Sequence, residues 1–417
     1  MDTVSFGFRA VLNPLAGTVS TSGGEADGRG GPGGPAVAEV LDFHRRLPGY
    51  RPTPLLSLPR LASELGVGEL LVKAESTRFG LPSFKMLGAS WATFRAVRGR
   101  LAEPGGPPGG GDGPVSPDAP DAGALRDWRD VADLARLLEP MLPMRLAAAT
   151  DGNHGRAVAR MARWLSFEAT IFVPAGTTEA RVGAIEGEGA QVVVVDGGYD
   201  DAVARCALEA GPRCLVISDT SWPGYAEVPR WVIDGYGTMF VEIDQALARS
   251  GHDTPAVVVV PIGVGALAAA TVAHFARGPS STAVLGVEPT DAACATASAL
   301  ARRPVTLGGL QHSIMAGLNC GTPSPVAWPQ VSRGIAGFVT IDDDWARSAV
   351  RALASCGIEA GETGAAALGG LMALQRQGRA TPPASLVDEE TSVLVLATEG
   401  ASDVPAWQEI VGSELIG

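Results

Sequence analysis

The sequence predicts an α/β protein built on a largely parallel sheet with helices on both faces. Two observations carry this: the apolar runs are short and Val-rich, as in Val257-Val258-Val259-Val260, and they alternate with helix-patterned segments. Strands buried on both faces read as continuous apolar runs, and parallel neighbours need crossover helices between them. No repeat period is visible. A chain of 417 residues exceeds one small core and suggests two or three domains, or one large domain with an insertion.

Residues 1–35 hold Ser22-Gly23-Gly24 and a Gly-rich run up to Gly34. They read as a flexible extension, with order expected from Ala36. A helical pattern over 37–47 is stopped by Pro48-Gly49. Pro52 to Leu58 is an extended lead into a helix at 61–65, and 70–75 reads as a strand. A helix follows from Lys85 toward Val97. The Gly- and Pro-dominated stretch 104–120 reads as an inserted, disordered-looking surface loop with no part in function. Beyond it the spacing predicts helices at 127–138, 155–165, 180–187, 200–209 and 228–247, the last interrupted at Gly235-Tyr236-Gly237. Strands are expected at 146–149, 169–173, 191–195 and 214–217. Then come strand 256–261, helix 267–275, strand 284–287, helices from Asp291, over 343–355 and over 365–374, and a last strand at 393–397.

A net charge of −13 with an isoelectric point near 4.9 argues against a phosphate-backbone partner, so no nucleic acid is expected. Five cysteines, odd in number and without a CxxC pair, indicate neither a disulfide framework nor a zinc site. Met1-Asp2-Thr3-Val4 starts no basic-then-apolar leader, so a cytoplasmic location is the expectation. The window 256–275 is long enough to span a bilayer, but Pro261, Gly263 and Gly265 divide it into a strand and a helix. No membrane association is expected.

In parallel α/β sheets ligands bind beyond the carboxyl ends of strands, so four loops draw the reading: Thr150 to Gly155, Ser218 to Trp222, Ile262 to Leu267, and Thr398-Glu399-Gly400. Gly263-Val264-Gly265-Ala266-Leu267 follows a strand and opens a helix, where free backbone N–H groups hold a phosphate without basic side chains. The same spacing satisfies a dinucleotide fingerprint, with Glu288 placed as the ribose-binding acid, or it is a plain structural turn. Gly152 and Gly155 let backbone bend around a flat ligand bearing a phenolic oxygen, to which Asn153 donates. Asp151 is a helix cap or a site carboxylate, Asp219 a turn former or its counterpart, and His154 a structural contact. Trp222 and Tyr225 suit a core. Lys85, at a helix start, is either a solvated lysine or an amine whose charged form the helix dipole disfavours, which suits a nucleophile.

Together, Ser83-Phe84-Lys85, Asp151-Gly152-Asn153-His154-Gly155, the Gly263 loop and Thr398 resemble the fold-type II pyridoxal phosphate enzymes. Further stretches are similar to the diaminopropionate ammonia-lyase branch: Phe43-His44-Arg45, Leu47-Pro48-Gly49-Tyr50, Phe79-Gly80-Leu81, Asp219-Thr220-Ser221-Trp222 and Thr398-Glu399-Gly400. The likeness covers roughly residues 36–404. Pro82 and Leu87 depart from the dehydratase pattern around the lysine, which favours this branch.

The resemblance implies two open, mostly parallel twisted sheets flanked by helices, with pyridoxal 5'-phosphate in the cleft between domains. It places 36–84 with 222–417 in a large cofactor-binding domain and 85–221 in a smaller one, and it implies a homodimer. Lys85 would hold the cofactor covalently beside Phe84, Asn153 would meet its ring oxygen, Gly263, Val264, Gly265, Ala266 and Leu267 would cradle its phosphate, and Thr398 would face the ring nitrogen. The implied reaction is α,β-elimination of 2,3-diaminopropionate, a small amino acid, to pyruvate and two ammonia. Asp151 and Asp219 would pair with the β-ammonium, each contact contributing about 1.5–3 kcal/mol when charge-assisted. Lys85 and Asp151 would be the bases for L- and D-substrates. Open alternatives are a serine/threonine dehydratase or β-replacement enzyme, an NAD-dependent oxidoreductase using the Gly263 loop, and a non-catalytic binder of this fold.

Overall fold

The computed structural model describes residues 7–16, 35–102, 125, 127–276, 282–377 and 382–412. Its strands are β1 (Phe8–Leu12), β2 (Leu55–Ser57), β3 (Glu69–Ala74), β4 (Arg145–Ala149), β5 (Glu168–Pro174), β6 (Gln191–Val195), β7 (Cys214–Val216), β8 (Val257–Pro261), β9 (Ala283–Pro289), β10 (Ile335–Ile341) and β11 (Ser392–Ala397). They form a seven-stranded sheet, β1-β10-β9-β8-β11-β3-β2, and a four-stranded sheet, β6-β5-β4-β7. The smaller sheet is parallel throughout. In the larger one only the edge strands β1 and β2 run antiparallel. This is the predicted α/β class with two open, mostly parallel sheets flanked by helices.

Successive side chains of a strand point to opposite faces, and that alternation splits the core. Val258, Val260, Val284, Phe338, Leu394 and Leu396 enter one buried cluster, while Val257, Val259, Leu285, Val339, Val393 and Val395 enter another. Both faces are apolar, so neither shows polar alternation in sequence.

Local chemistry sets the element ends. Asp130 accepts from the Asp133 N–H, so the helix predicted from Asp127 starts at Val131. Asp342 accepts from Asp344 and Trp345 and opens the helix Asp343–Ser355. The Gly-Tyr-Gly interruption divides Glu227–Gly235 from Gly237–Ser250.

The expectation that order begins at Ala36 is corrected by β1, which pairs with β10 from Phe8↔Ile341 to Leu12↔Gly337. The Phe8 ring sits edge-on to Trp345 at 6.1 Å, and Asn13 Nδ2 donates to the carbonyls of Ser332 and Ile335 at 2.8 and 2.7 Å. A five-residue edge strand before a Gly-rich run gives too little periodicity to be read. β10, the helix Trp328–Gly334 and the helix Val404–Val411 are likewise absent from the expectations. The Gly-rich run after residue 16 and the 104–120 insertion lie outside the described residues. Among the described residues no helix is long and apolar enough to cross a membrane, and none of the five cysteines forms a disulfide.

Candidate active site

The loops after β4, β7, β8 and β11 open on one cleft, whose lining includes Lys85, Asp151, Asn153, Asp219, Gly263–Leu267 and Thr398. Every predicted site residue lies on it, Phe84 included.

Lys85 is the first residue of the helix Lys85–Ala102. The segment before it is held to the loop after β11: Ser83 bridges Glu399, the Phe84 N–H donates to the Thr398 carbonyl at 3.2 Å, and Gly400 N–H to Pro82 at 2.8 Å. Lys85 Nζ donates to Asp219 Oδ2 at 2.6 Å and lies 5.4 Å from the Phe84 ring centroid. Tyr199 donates its phenolic O–H to the other oxygen of Asp219 at 2.9 Å.

The expected depression of the Lys85 charged form is corrected here. Burial does work against the ammonium, but the carboxylates of Asp219 and Asp151 outweigh it and raise the pKa. Burial likewise works against the Asp219 charge, and Lys85 overrides it, holding that carboxyl well below the usual range. In this state the pair is an ion pair, and the amine becomes a nucleophile only after its proton is released. The helix start is a weaker influence than a carboxylate in contact.

Asp151 is not the cap of its helix. The Gly152 N–H is taken by Thr150 Oγ1 at 2.9 Å, and the helix Asn153–Trp164 has Gly152, at φ +153°, as its uncapped N-terminal residue. The Asp151 carboxylate stays in the cleft, with Arg181 Nη1 at 3.7 Å and the same nitrogen donating to the Asp151 carbonyl at 3.3 Å. Gly155 is required by packing, since a Cβ there would come within 2.4 Å of Ile171 and Thr150 side chains. Asn153 donates Nδ2–H to Glu399 Oε2. His154 is buried and donates Nε2–H to the Ile217 carbonyl at 2.8 Å; burial lowers its pKa, consistent with a structural contact. Tyr225 is also structural, donating to Val216 at 2.7 Å and stacking on Trp222.

Gly265, at φ +97°, turns the chain into the helix Ala266–Phe275. The first N–H groups of a helix have no intrahelical partner, so this turn offers donors to an anion. Gly263 has no room for a side chain: a Cβ would meet the Gly317 carbonyl at 3.0 Å. The dinucleotide reading fails at Glu288. That side chain is buried and accepts from the N–H groups of Ala295 and Thr296 and from the Thr296 hydroxyl, so it is engaged in opening the next helix.

Tyr199, Glu399, Arg181 and Thr363 also border this chemistry. Glu399 adjoins Thr398 in a post-strand loop and was within reach of the rule that found its neighbour. Tyr199 follows β6 by the same logic. Arg181 and Thr363 reach the site only through helix packing and carry no local signal.

An amine, a carboxamide N–H₂ donor, a buried hydroxyl and a helix-start turn without basic residues, set around one cleft, fit pyridoxal phosphate. The chain belongs to the pyridoxal-phosphate dependent enzymes, whose family model matches residues 129–396, and among them to the diaminopropionate ammonia-lyase family. It is 35% identical over 381 residues to the diaminopropionate ammonia-lyase of Escherichia coli strain K12, covering 88% of this chain and 89% of that one. The crystal structure of the Escherichia coli enzyme with D-serine matches with a TM-score of 0.82 at 31% identity, covering 98% of this chain and 97% of that one. The same enzyme in complex with its aminoacrylate-PLP azomethine reaction intermediate matches at 0.79 and 30%, with coverages of 98% and 97%.

Proposed function

We propose that this protein eliminates ammonia from 2,3-diaminopropionate, using pyridoxal 5'-phosphate, to give pyruvate and two ammonia. The observation that carries the reading is the convergence of Lys85, Asp151 and Asp219, from separate loops, on a cleft that also holds an anion-binding helix start. The cofactor supplies the electron sink that makes the Cα proton of a bound amino acid removable.

Lys85 would hold the cofactor and act as the base for the Cα proton of an L-substrate, and Asp151 would serve for a D-substrate. The turn Gly263–Leu267 would hold the phosphate, Asn153 would donate to the ring oxygen, and the Thr398 hydroxyl would face the ring nitrogen, a neutral partner that favours elimination. Asp219, freed from Lys85 when the amine is engaged, pairs with the substrate's β-ammonium. That group leaves as ammonia with the Cβ–N electron pair, and the released enamine hydrolyses to pyruvate and the second ammonia. Serine, with a neutral hydroxyl, gains less from two buried carboxylates.

The smaller sheet, within 85–221, and the larger, whose strands other than β1 come from 36–84 and 222–417, are on this reading the cores of two domains that meet at the cleft. A cytoplasmic homodimer is the accompanying expectation, checked by light scattering of the purified protein.

The test is an absorbance spectrum followed by a substrate panel. A near-visible band and pyruvate from diaminopropionate, with little from serine or threonine, are expected; equal turnover of serine would instead make it a dehydratase. Asp151→Asn should lose activity on the D-enantiomer selectively, and equal loss on both enantiomers would sink the two-base assignment.

A further inference from the structure

Asn153 is an amide, and an amide presents a donor at one end and an acceptor at the other. Only the donor end suits a ring oxygen, so something must decide which way the group faces. Its Nδ2 donates to Glu399 Oε2, and its Oδ1 accepts from Ser402 Oγ at 3.3 Å. The two partners are not equivalent. A hydroxyl donates or accepts and would tolerate either orientation, whereas an ionised carboxylate only accepts.

We propose that Glu399 is a positioning residue that fixes the carboxamide of Asn153 with its N–H₂ end available to the cofactor's ring oxygen. This rests on the pyridoxal phosphate reading above. One N–H of Nδ2 is taken by Glu399, and the second is left for the cleft. Reversing the amide would set Oδ1 against the carboxylate.

The carboxylate cannot easily withdraw. The backbone of Glu399 bridges Ser83 on one side and receives the Gly361 N–H on its carbonyl at 3.2 Å. Gly364 packs so closely that a Cβ there would lie 2.1 Å from the Glu399 carbonyl oxygen. Oε1 lies over Gly361, where a Cβ would come within 3.2 Å. Burial raises the pKa of this carboxyl to about 7, with Arg181 opposing the shift and Asp151 and Glu362 adding to it. A neutral carboxyl still keeps a carbonyl oxygen as acceptor, so the pairing with Asn153 survives protonation.

The experiment is titration of apoenzyme with pyridoxal 5'-phosphate, read by cofactor affinity and by the absorbance maximum of the bound form. Glu399→Leu removes the acceptor and should weaken affinity at least tenfold and shift the band. Glu399→Gln keeps one acceptor but adds an N–H₂ donor that tolerates either orientation of the Asn153 amide, so its affinity should fall between wild type and the leucine variant. In an Asn153→Ala background, Glu399→Leu should add no further loss. The paired change Asn153→Asp with Glu399→Gln reverses donor and acceptor while retaining the buried hydrogen bond. It should keep the apoprotein folded, as judged by its melting curve, yet bind as weakly as the leucine variant.

Wild-type affinity and spectrum in the leucine or the paired variant would overturn the proposal. So would additive losses in the Asn153→Ala background, or a glutamine variant with wild-type affinity and spectrum. Failure of the wild-type apoprotein to take up the cofactor is a separate outcome, which would overturn the reading on which the proposal rests and the proposal with it.

Discussion

Lys73 and Lys85 are both lysines drawn out of water and paired with carboxylates, but their surroundings differ. Lys73 Nζ is fully buried, donating to Glu242 Oε2 and the Thr53 carbonyl at 2.8 Å each, with Glu75 at 3.9 Å. Arg78 joins the same two carboxylates at 2.6–2.8 Å, and Tyr50 and Thr53 take further lone pairs. Two cations and two anions balance. Lys85 keeps 18% of its side chain exposed and has one carboxylate in contact. Burial lowers the Lys73 pKa, and Arg78 adds to that. At Lys85 no cation competes, and the neighbouring carboxylates raise it. Burial alone therefore does not separate the lysine proposed to react from the structural one; the charge balance around each does.

The sharpest way to separate the two regions is to delete each lysine. Lys85→Ala should abolish the near-visible cofactor band and cost about 10³-fold or more in turnover, since on the proposed reading the same amine holds the cofactor and moves the proton. A persisting band would mean another residue anchors the cofactor. Lys73→Met should do the reverse. It breaks a buried ion network and leaves Glu242, held down to about pKa 2 by Arg78 and Lys73 against burial, short of a partner. Such a loss costs about 3–5 kcal/mol of stability, read as a lower melting temperature, while the cofactor band of the folded fraction stays in place. A spectral change in that variant would show that the network reaches the cofactor through the loop 76–84 leading to Lys85.

How much of this was legible in sequence follows the same division. The loops bearing Asp151, Asn153, Asp219, Gly263 and Thr398 were readable because each follows an apolar strand, and strand ends in a parallel sheet face one side. The closed network was not: Glu242 meets Lys73 across a sequence separation of 169 residues, and nothing local at Glu242 announces its partners. The helix-start argument for Lys85 missed its charge state, because Asp219 stands 134 residues away in sequence. β1 escaped because an edge strand is defined by its neighbour's free edge more than by its own five residues.

A change at Asp219 tests the open site from its other half. Asp219→Asn removes the contact that holds the Lys85 proton, so the free amine should become populated at lower pH. The pH profile of cofactor uptake by the apoprotein, rising as the ammonium ionises in wild type, should move down in pH. Turnover should fall by about 10²-fold, the scale of a lost proton-handling or charge-pairing group. An unmoved uptake profile would mean that Lys85 and Asp219 are not coupled when the cofactor arrives.

The smallest expected effect is in another closed site. Glu288 accepts three hydrogen bonds, and burial outweighs them and raises its pKa to about 7. Glu288→Gln replaces one acceptor oxygen with N–H₂ and leaves one of the Ala295 or Thr296 donors unsatisfied, at about 1–3 kcal/mol. An acid whose pKa rises on folding contributes its full stability below the unfolded value near 4.5 and loses it as pH climbs through about 7. Wild type carries that loss and the glutamine variant does not, so the gap in melting temperature should narrow between pH 5 and 8. His44 and His154, both buried with lowered pKa values, act with the opposite sign but are present in both proteins and cancel in the difference. A gap that stays constant would mean that the three donors keep Glu288 ionised across the whole range, making it a fully satisfied anion like Glu242. The cofactor band should be unchanged at every pH, because Glu288 points into a helix start that no ligand reaches.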